Sequence, residues 1–80
     1  ALGREDAQRL LIFGTGHQAY WDARAISRVR QLSSIIVAGR SPDAAEGLAA
    51  RLRADGLPAR AGTIADHAPT SDIIVTVTSA

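Results

Sequence analysis

The chain has 80 residues, 46% of them hydrophobic and 21% charged, which allows one packed domain at most. At this size only about 60% of the unfolded surface can be buried, so a part of something larger is expected. A net charge of +1 excludes the long-range field that draws proteins to nucleic acid or anionic membrane, and the absence of cysteine excludes a disulfide framework, a thiolate nucleophile and a Cys-based metal site.

All nine basic residues are arginine, which removes Schiff-base chemistry and a lysine general base from these residues. No apolar run approaches the roughly 18 residues of a membrane span, and the first residues lack the apolar centre of a signal peptide. The expectation is a soluble, cytoplasmic protein with no metal.

Residues 1–9 read as a lead-in helix or connection. Leu10-Leu11-Ile12-Phe13 is a short, continuously apolar stretch that stops at Gly14, as a parallel strand buried on both faces does. After Gly14-Thr15-Gly16 the pattern turns helical from about His17 to Arg30: Ala19, Ala23 and Ile26 recur at helical spacing, with Arg24, Arg28 and Arg30 on the wet side. Tyr20 and Trp21 occupy adjacent positions that point in different directions, and packing is expected for both, inward or against a neighbouring domain.

A second strand is predicted over Ser34 to Ala38. Ser41 then caps a helix that Pro42 opens, with Ala45, Leu48, Ala49 and Leu52 on its apolar face and Gly56 just past its end. Pro58 to Ala61 reads as a weak third strand, and Ile64 to Ala68 as one helical turn before Pro69. Asp72 introduces Ile73 to Thr78, a strongly β-prone run. Strands alternating with helices on right-handed crossovers imply an α/β fold with a Rossmann-type parallel sheet of order 3-2-1-4, flanked by helices, with a ligand crevice between the first and fourth strands. The last strand would present an unpaired edge unless further strands follow.

Gly14-Thr15-Gly16-His17-Gln18-Ala19 fits G-x-G-x-x-A between a buried strand and a helix start, where a dinucleotide-binding loop belongs. Gly14 takes the tight turn, Gly16 has no Cβ to obstruct a diphosphate, and Ala19 lets the helix lie close to the sheet. Backbone N–H groups around Gly16 to Gln18 then bind the phosphates without a charged side chain. The competing reading is a glycine turn with no ligand. His17 and Gln18 could also offer side chains, although backbone contact is favoured for His17, and neither His17 nor His67 has an identifiable carboxylate partner for acid–base work.

An NAD site usually ends its second strand with Asp or Glu about twenty residues after the glycines, to bind the ribose hydroxyls. Gly39 stands there. Arg40 and Ser41, at a helix N-terminus, supply a cation, a hydroxyl and backbone donors for a 2′-phosphate, so NADP(H) is preferred and NAD(H) stays open: Ser41 could simply cap, Arg40 could lie in water, and Asp43 disfavours a phosphate.

With Gly39-Arg40-Ser41 after the second strand, Val75-Thr76-Val77-Thr78 in the last, Gln18-Ala19 closing the glycine loop and the lead-in Leu2-Gly3-Arg4-Glu5-Asp6-Ala7, the chain resembles the ornithine cyclodeaminase/mu-crystallin family over nearly its whole length. The resemblance implies a two-domain, usually dimeric protein whose other domain binds an amino or imino acid. Residues 1–80 would then be the NAD(P)-binding part of a cyclodeaminase, an alanine dehydrogenase, or a ketimine or pyrroline-carboxylate reductase. It further implies that Gly16, His17, Gln18 and Ala19 line the diphosphate, Gly39, Arg40 and Ser41 the adenosine ribose, and Thr76, Val77 and Thr78 the middle of the cofactor. Members that use NAD tend to carry Asp where Gly39 stands, which favours a reductase over ornithine cyclodeaminase proper. The family's catalytic lysine and aspartate lie outside these residues, so no catalytic residue is assigned.

Shikimate dehydrogenases and glutamyl-tRNA reductases are also similar in combining a glycine loop with Arg and Ser/Thr after the second strand, but Gln18-Ala19 argues for the first family. A flavin enzyme or methyltransferase would normally need an acidic residue ending the second strand. A non-catalytic NADPH-binding protein is the reading from a different class.

Overall fold

The computed structural model describes residues 7–77. Four strands, β1 (Gln8–Phe13), β2 (Leu32–Ala38), β3 (Ala59–Ala61) and β4 (Ile73–Thr76), form one parallel sheet of order β3-β2-β1-β4. Three helices connect them, α1 (His17–Val29), α2 (Pro42–Ala54) and the short α3 (Ile64–His67), the last continued by a 3₁₀ turn over Ala68–Thr70. The order is the one expected from the alternation of strands and helices.

β1 holds the centre. Leu10, Leu11 and Ile12 are each 0% exposed, because every side chain of a strand inside a parallel sheet meets cover on one face or the other. The two faces are unequal. Leu10 and Ile12 join Ile35, Val37 and Ala59 beneath Ala19, Tyr20 and Ala23 of α1 and Ala45, Leu48, Ala49 and Leu52 of α2. On the reverse face, Leu11, Ile36 and Ala38 form a smaller cluster on which Phe13 and Ala68 pack. The alternation of β4 follows the same division. Ile73 and Val75 pack on the larger cluster, while Ile74, on the other face, is 55% exposed.

β1 begins at Gln8, so the expected lead-in through Arg9 is already strand, and residues 1–6 of that segment lie outside the described residues. Backbone pairing explains the difference. The Gln8 N–H donates to the Gln31 carbonyl at 2.8 Å, and Asp72 both donates its N–H to the Arg9 carbonyl and accepts from the Arg9 N–H through Oδ2, each at 2.8 Å. Polar side chains are no obstacle where the main chain is satisfied in this way. β2 likewise starts at Leu32, two residues before the predicted run. β4 is described to Thr76, with the Val77 N–H still donating to the Phe13 carbonyl at 2.9 Å; Thr78 lies outside the described residues.

The helix ends follow their residues. Ser41 Oγ accepts from the Ala44 N–H at 3.3 Å with Pro42 in the first turn, and Gly56, at φ +88°, receives the chain as α2 ends. Of the aromatic pair, Tyr20 is buried and Trp21 is 55% exposed, so within the described residues only Tyr20 packs inward. Tyr20 takes the inward position because its hydroxyl finds partners: it donates to Asp55 at the end of α2 and accepts from Arg24 Nη1 at 3.1 Å, while the Arg51 guanidinium lies 4.1 Å from its ring centre. Trp21 stays outside, edge-on to Tyr20 at 5.1 Å.

Leu52 is 0% exposed beneath the helix pair, so Leu52→Ala is expected to cost about 2–5 kcal/mol, read as a lowered urea midpoint with unchanged slope.

Candidate functional site

The site forms where β1 ends. Phe13 is followed by Gly14, whose N–H donates to the Ala38 carbonyl at 2.9 Å, while the Phe13 carbonyl accepts from Val77. The turn is thus fastened to β2 on one side and to the end of β4 on the other. Gly14 has φ +145°, a conformation that L side chains rarely adopt, and a Cβ there would lie 2.9 Å from the Val77 carbonyl oxygen and 3.1 Å from the Val77 Cβ. Both the backbone and the neighbour require glycine at this position.

Gly16 is different. It is the N-cap of α1 with an ordinary extended backbone, φ −90° and ψ −167°, and a Cβ built on it would meet no protein atom within 4 Å. Glycine here answers to the open space in front of the helix. No side chain caps α1, so the amides of its first turn, which have no carbonyl one turn back to reach, point toward that space with the positive end of the helix dipole. Ala19, 0% exposed, brings the first turn down onto the sheet.

The open space is a cavity of about 590 Å³. Of the residues predicted for a ligand site, Gly14, Gly16, His17, Gln18, Ala19, Gly39, Arg40, Ser41 and Val77 all line it. Thr76 is exposed on β4 and is not among the lining residues, and Thr78 lies outside the described residues. Two lining residues, Phe13 and Thr15, were not anticipated as site residues. Phe13 read only as the last residue of a buried run, and Thr15 as the variable position between two glycines.

Side-chain engagement divides the loop further. Gln18 Nε2 donates to Asp22 Oδ1 at 2.8 Å, along the helix. The second wall is the start of α2, where exposed Arg40 precedes Ser41, whose hydroxyl oxygen accepts from Ala44 and whose own proton remains available to donate. Two helix N-termini therefore border one cavity. Among the described lining residues there is no carboxylate, so the electrostatics favour an anion.

A second cavity of about 330 Å³ adjoins the first, sharing Phe13 and Gly39. Its other walls are mostly apolar: Ala38, Pro42, Ala45, Ala61 and Ile64, at the ends of β2 and β3. A cavity bordered by two helix N-termini and a more apolar one thus adjoin at the carboxyl ends of the strands, with Phe13 and Gly39 common to both.

A parallel sheet of this order, a glycine turn after its central strand and an uncapped helix facing a cavity define a Rossmann-type α/β unit with an open cavity at its strand ends. The profile of the ornithine cyclodeaminase/mu-crystallin family matches residues 1–80, and the chain belongs to that family. It is 37% identical over 81 aligned positions to a Delta(1)-pyrroline-2-carboxylate reductase of Bacillus thuringiensis subsp. konkukian, covering 99% of this chain and 25% of the relative. It is 35% identical over 78 residues to the L-lysine cyclodeaminase of Streptomyces rapamycinicus, covering 98% and 23%. The fold is similar, at a TM-score of 0.82 and 28% identity, to the Delta(1)-pyrroline-2-carboxylate reductase of Thermococcus litoralis in complex with NADH and L-proline, covering 99% of this chain and 25% of that one. The chain therefore spans about a quarter of the length of these relatives.

The contrast between the two loop glycines is measurable. Gly14→Ala is expected to destabilise the fold by roughly 1–3 kcal/mol through its strained φ and the Val77 contact, whereas Gly16→Ala changes stability by less than about 1 kcal/mol, both read from denaturant midpoints.

Proposed function

We propose that this chain is the dinucleotide-binding part of an NADP(H)-dependent oxidoreductase that acts on amino acids or cyclic imino or ketimine acids. The observation that carries the proposal is the uncapped N-terminus of α1 facing an open 590 Å³ cavity at Gly16, where a Cβ would meet no protein atom within 4 Å. A diphosphate fits that description, since it needs several convergent N–H donors and close backbone approach. In support, the Thermococcus litoralis relative with the same fold binds NADH together with L-proline. When bound, the nicotinamide supplies hydride transfer to or from the α-carbon of the substrate.

The residues of this chain divide the work of holding the nucleotide. The amides of Gly16, His17 and Gln18 take the diphosphate, and Ala19 keeps them close to the sheet. The adjoining apolar cavity accepts the adenine ring between the ends of β2 and β3. Gly39, Arg40 and Ser41 receive the ribose: without a carboxylate at residue 39 a 2′-phosphate is not repelled, and the Arg40 guanidinium and Ser41 hydroxyl can donate to it. Val77, with Thr76 and Thr78, borders the middle of the cofactor. The catalytic groups and the amino- or imino-acid pocket belong to a separate domain outside residues 1–80, and a homodimer is the assembly this family reading favours. A second reading, NAD(H), draws on Asp43 in the first turn of α2, beside the proposed phosphate position, and on the NADH complex of the relative.

Isothermal titration of the full-length protein distinguishes the two. NADPH is expected to bind at least about tenfold more tightly than NADH, and Arg40→Ala to weaken NADPH selectively by roughly 1.5–3 kcal/mol. Equal or weaker binding of NADPH, with no selective effect of Arg40→Ala, overturns the preference. Stopped-flow oxidation of bound NADPH by a panel of cyclic imines is expected to show turnover; none with any substrate would assign the protein to binding alone.

A further inference from the structure

We infer that Thr15, the residue between the two loop glycines, is a specificity-determining position: its methyl group occupies the space a side chain at residue 39 would need, and so excludes the acidic residue that would bind an unphosphorylated ribose. The inference rests on the reading above that residues 39–41 receive the ribose. β1 and β2 run in register with Phe13 opposite Ala38, and the Gly14 N–H donates to the Ala38 carbonyl, so the residues just beyond the sheet, Thr15 and Gly39, are brought side by side.

A Cβ built on Gly39 would lie 2.6 Å from Thr15 Cγ2, well inside any contact real Cβ atoms make, while Thr15 Cβ and Oγ1 would be at an ordinary 3.8 and 3.9 Å. One methyl group accounts for the whole clash. The Gly39 backbone does not demand glycine, since the positive-φ glycines among the described residues are Gly14 and Gly56. Residue 39 is glycine because of its neighbour. Thr15 is β-branched and partly buried, so it cannot give way with the freedom of a long, exposed side chain. An aspartate at residue 39 therefore enters only if Thr15 turns or is trimmed. With Thr15 in place, residue 39 brings no carboxylate to the ribose end of the cavity beside Arg40 and Ser41. Thr15 acts through residue 39 and is in this sense a positioning residue.

The test uses the full-length protein and two readouts. Without nucleotide, Gly39→Ala is expected to lower the melting temperature by roughly 2–4 °C, and the same change made on Thr15→Ala to lower it no further than Thr15→Ala alone. Additive losses overturn the steric coupling. In nucleotide titrations, Gly39→Asp alone is expected to lose NADPH affinity about tenfold or more without gaining NADH, and the Thr15→Ala/Gly39→Asp protein to bind NADH at least about tenfold more tightly than NADPH. Gly39→Asp alone binding NADH as tightly as the double variant overturns the inference. A parent protein that does not prefer NADPH overturns the cofactor reading instead, and the melting-temperature comparison still decides whether Thr15 constrains residue 39.

Discussion

The end of β1 is held in place by two backbone hydrogen bonds, one from Gly14 to Ala38 and one from Val77 to Phe13. Because β1 is the strand on which both faces of the sheet are packed, its exit point is as rigid as the core beneath it. Gly14 leaves that point in a conformation that turns the chain at once, so α1 starts directly above the strand end. From this one junction follow the aim of the first-turn amides, the side-by-side approach of Thr15 and Gly39, and the placement of Phe13 between the two cavities. Were the junction loose, each of these would vary independently.

The first turn of α1 is restrained by a second device as well. Tyr20 is buried under the helix but sends its hydroxyl to Asp55, the C-cap of α2, with Arg24 and Arg51 gathered on the same ring. The two helices that present their N-termini to the cavity are thereby tied together through the C-terminal end of α2. Packing of Ala23, Leu48 and Leu52 supplies the bulk of the attraction, and the Tyr20–Asp55 contact specifies how the helices are paired.

Most of the fold was legible because its strongest elements carry redundant signals. Leu10 to Phe13 had both the unbroken apolar run and the glycine stop of a buried strand, and α2 had a cap, a first-turn proline, a regular apolar face and a terminating glycine. Gln8, Arg9, Leu32 and Ser33 were not read as strand, because their membership comes from main-chain pairing across the sheet and leaves no trace in hydrophobicity. Nor could periodicity decide between Tyr20 and Trp21: adjacent helical positions differ by a fixed rotation, and the choice was made by a hydroxyl partner 35 residues away. The candidate site divides in the same manner. Its glycine loop and Gly39-Arg40-Ser41 follow from local pattern, whereas Phe13, Thr15 and the apolar cavity at the end of β3 arise only when β1, β2 and β3 lie side by side.

The presence of two helix N-termini at one cavity has a consequence for acidity. Peptide dipoles carry partial charges that no change of pH removes. The attraction these groups exert on an anion is therefore built into the geometry of the chain and persists as long as the two helices do. Any sensitivity to pH in the dipoles' share of the attraction would originate in the guest, whose own phosphate oxygens titrate.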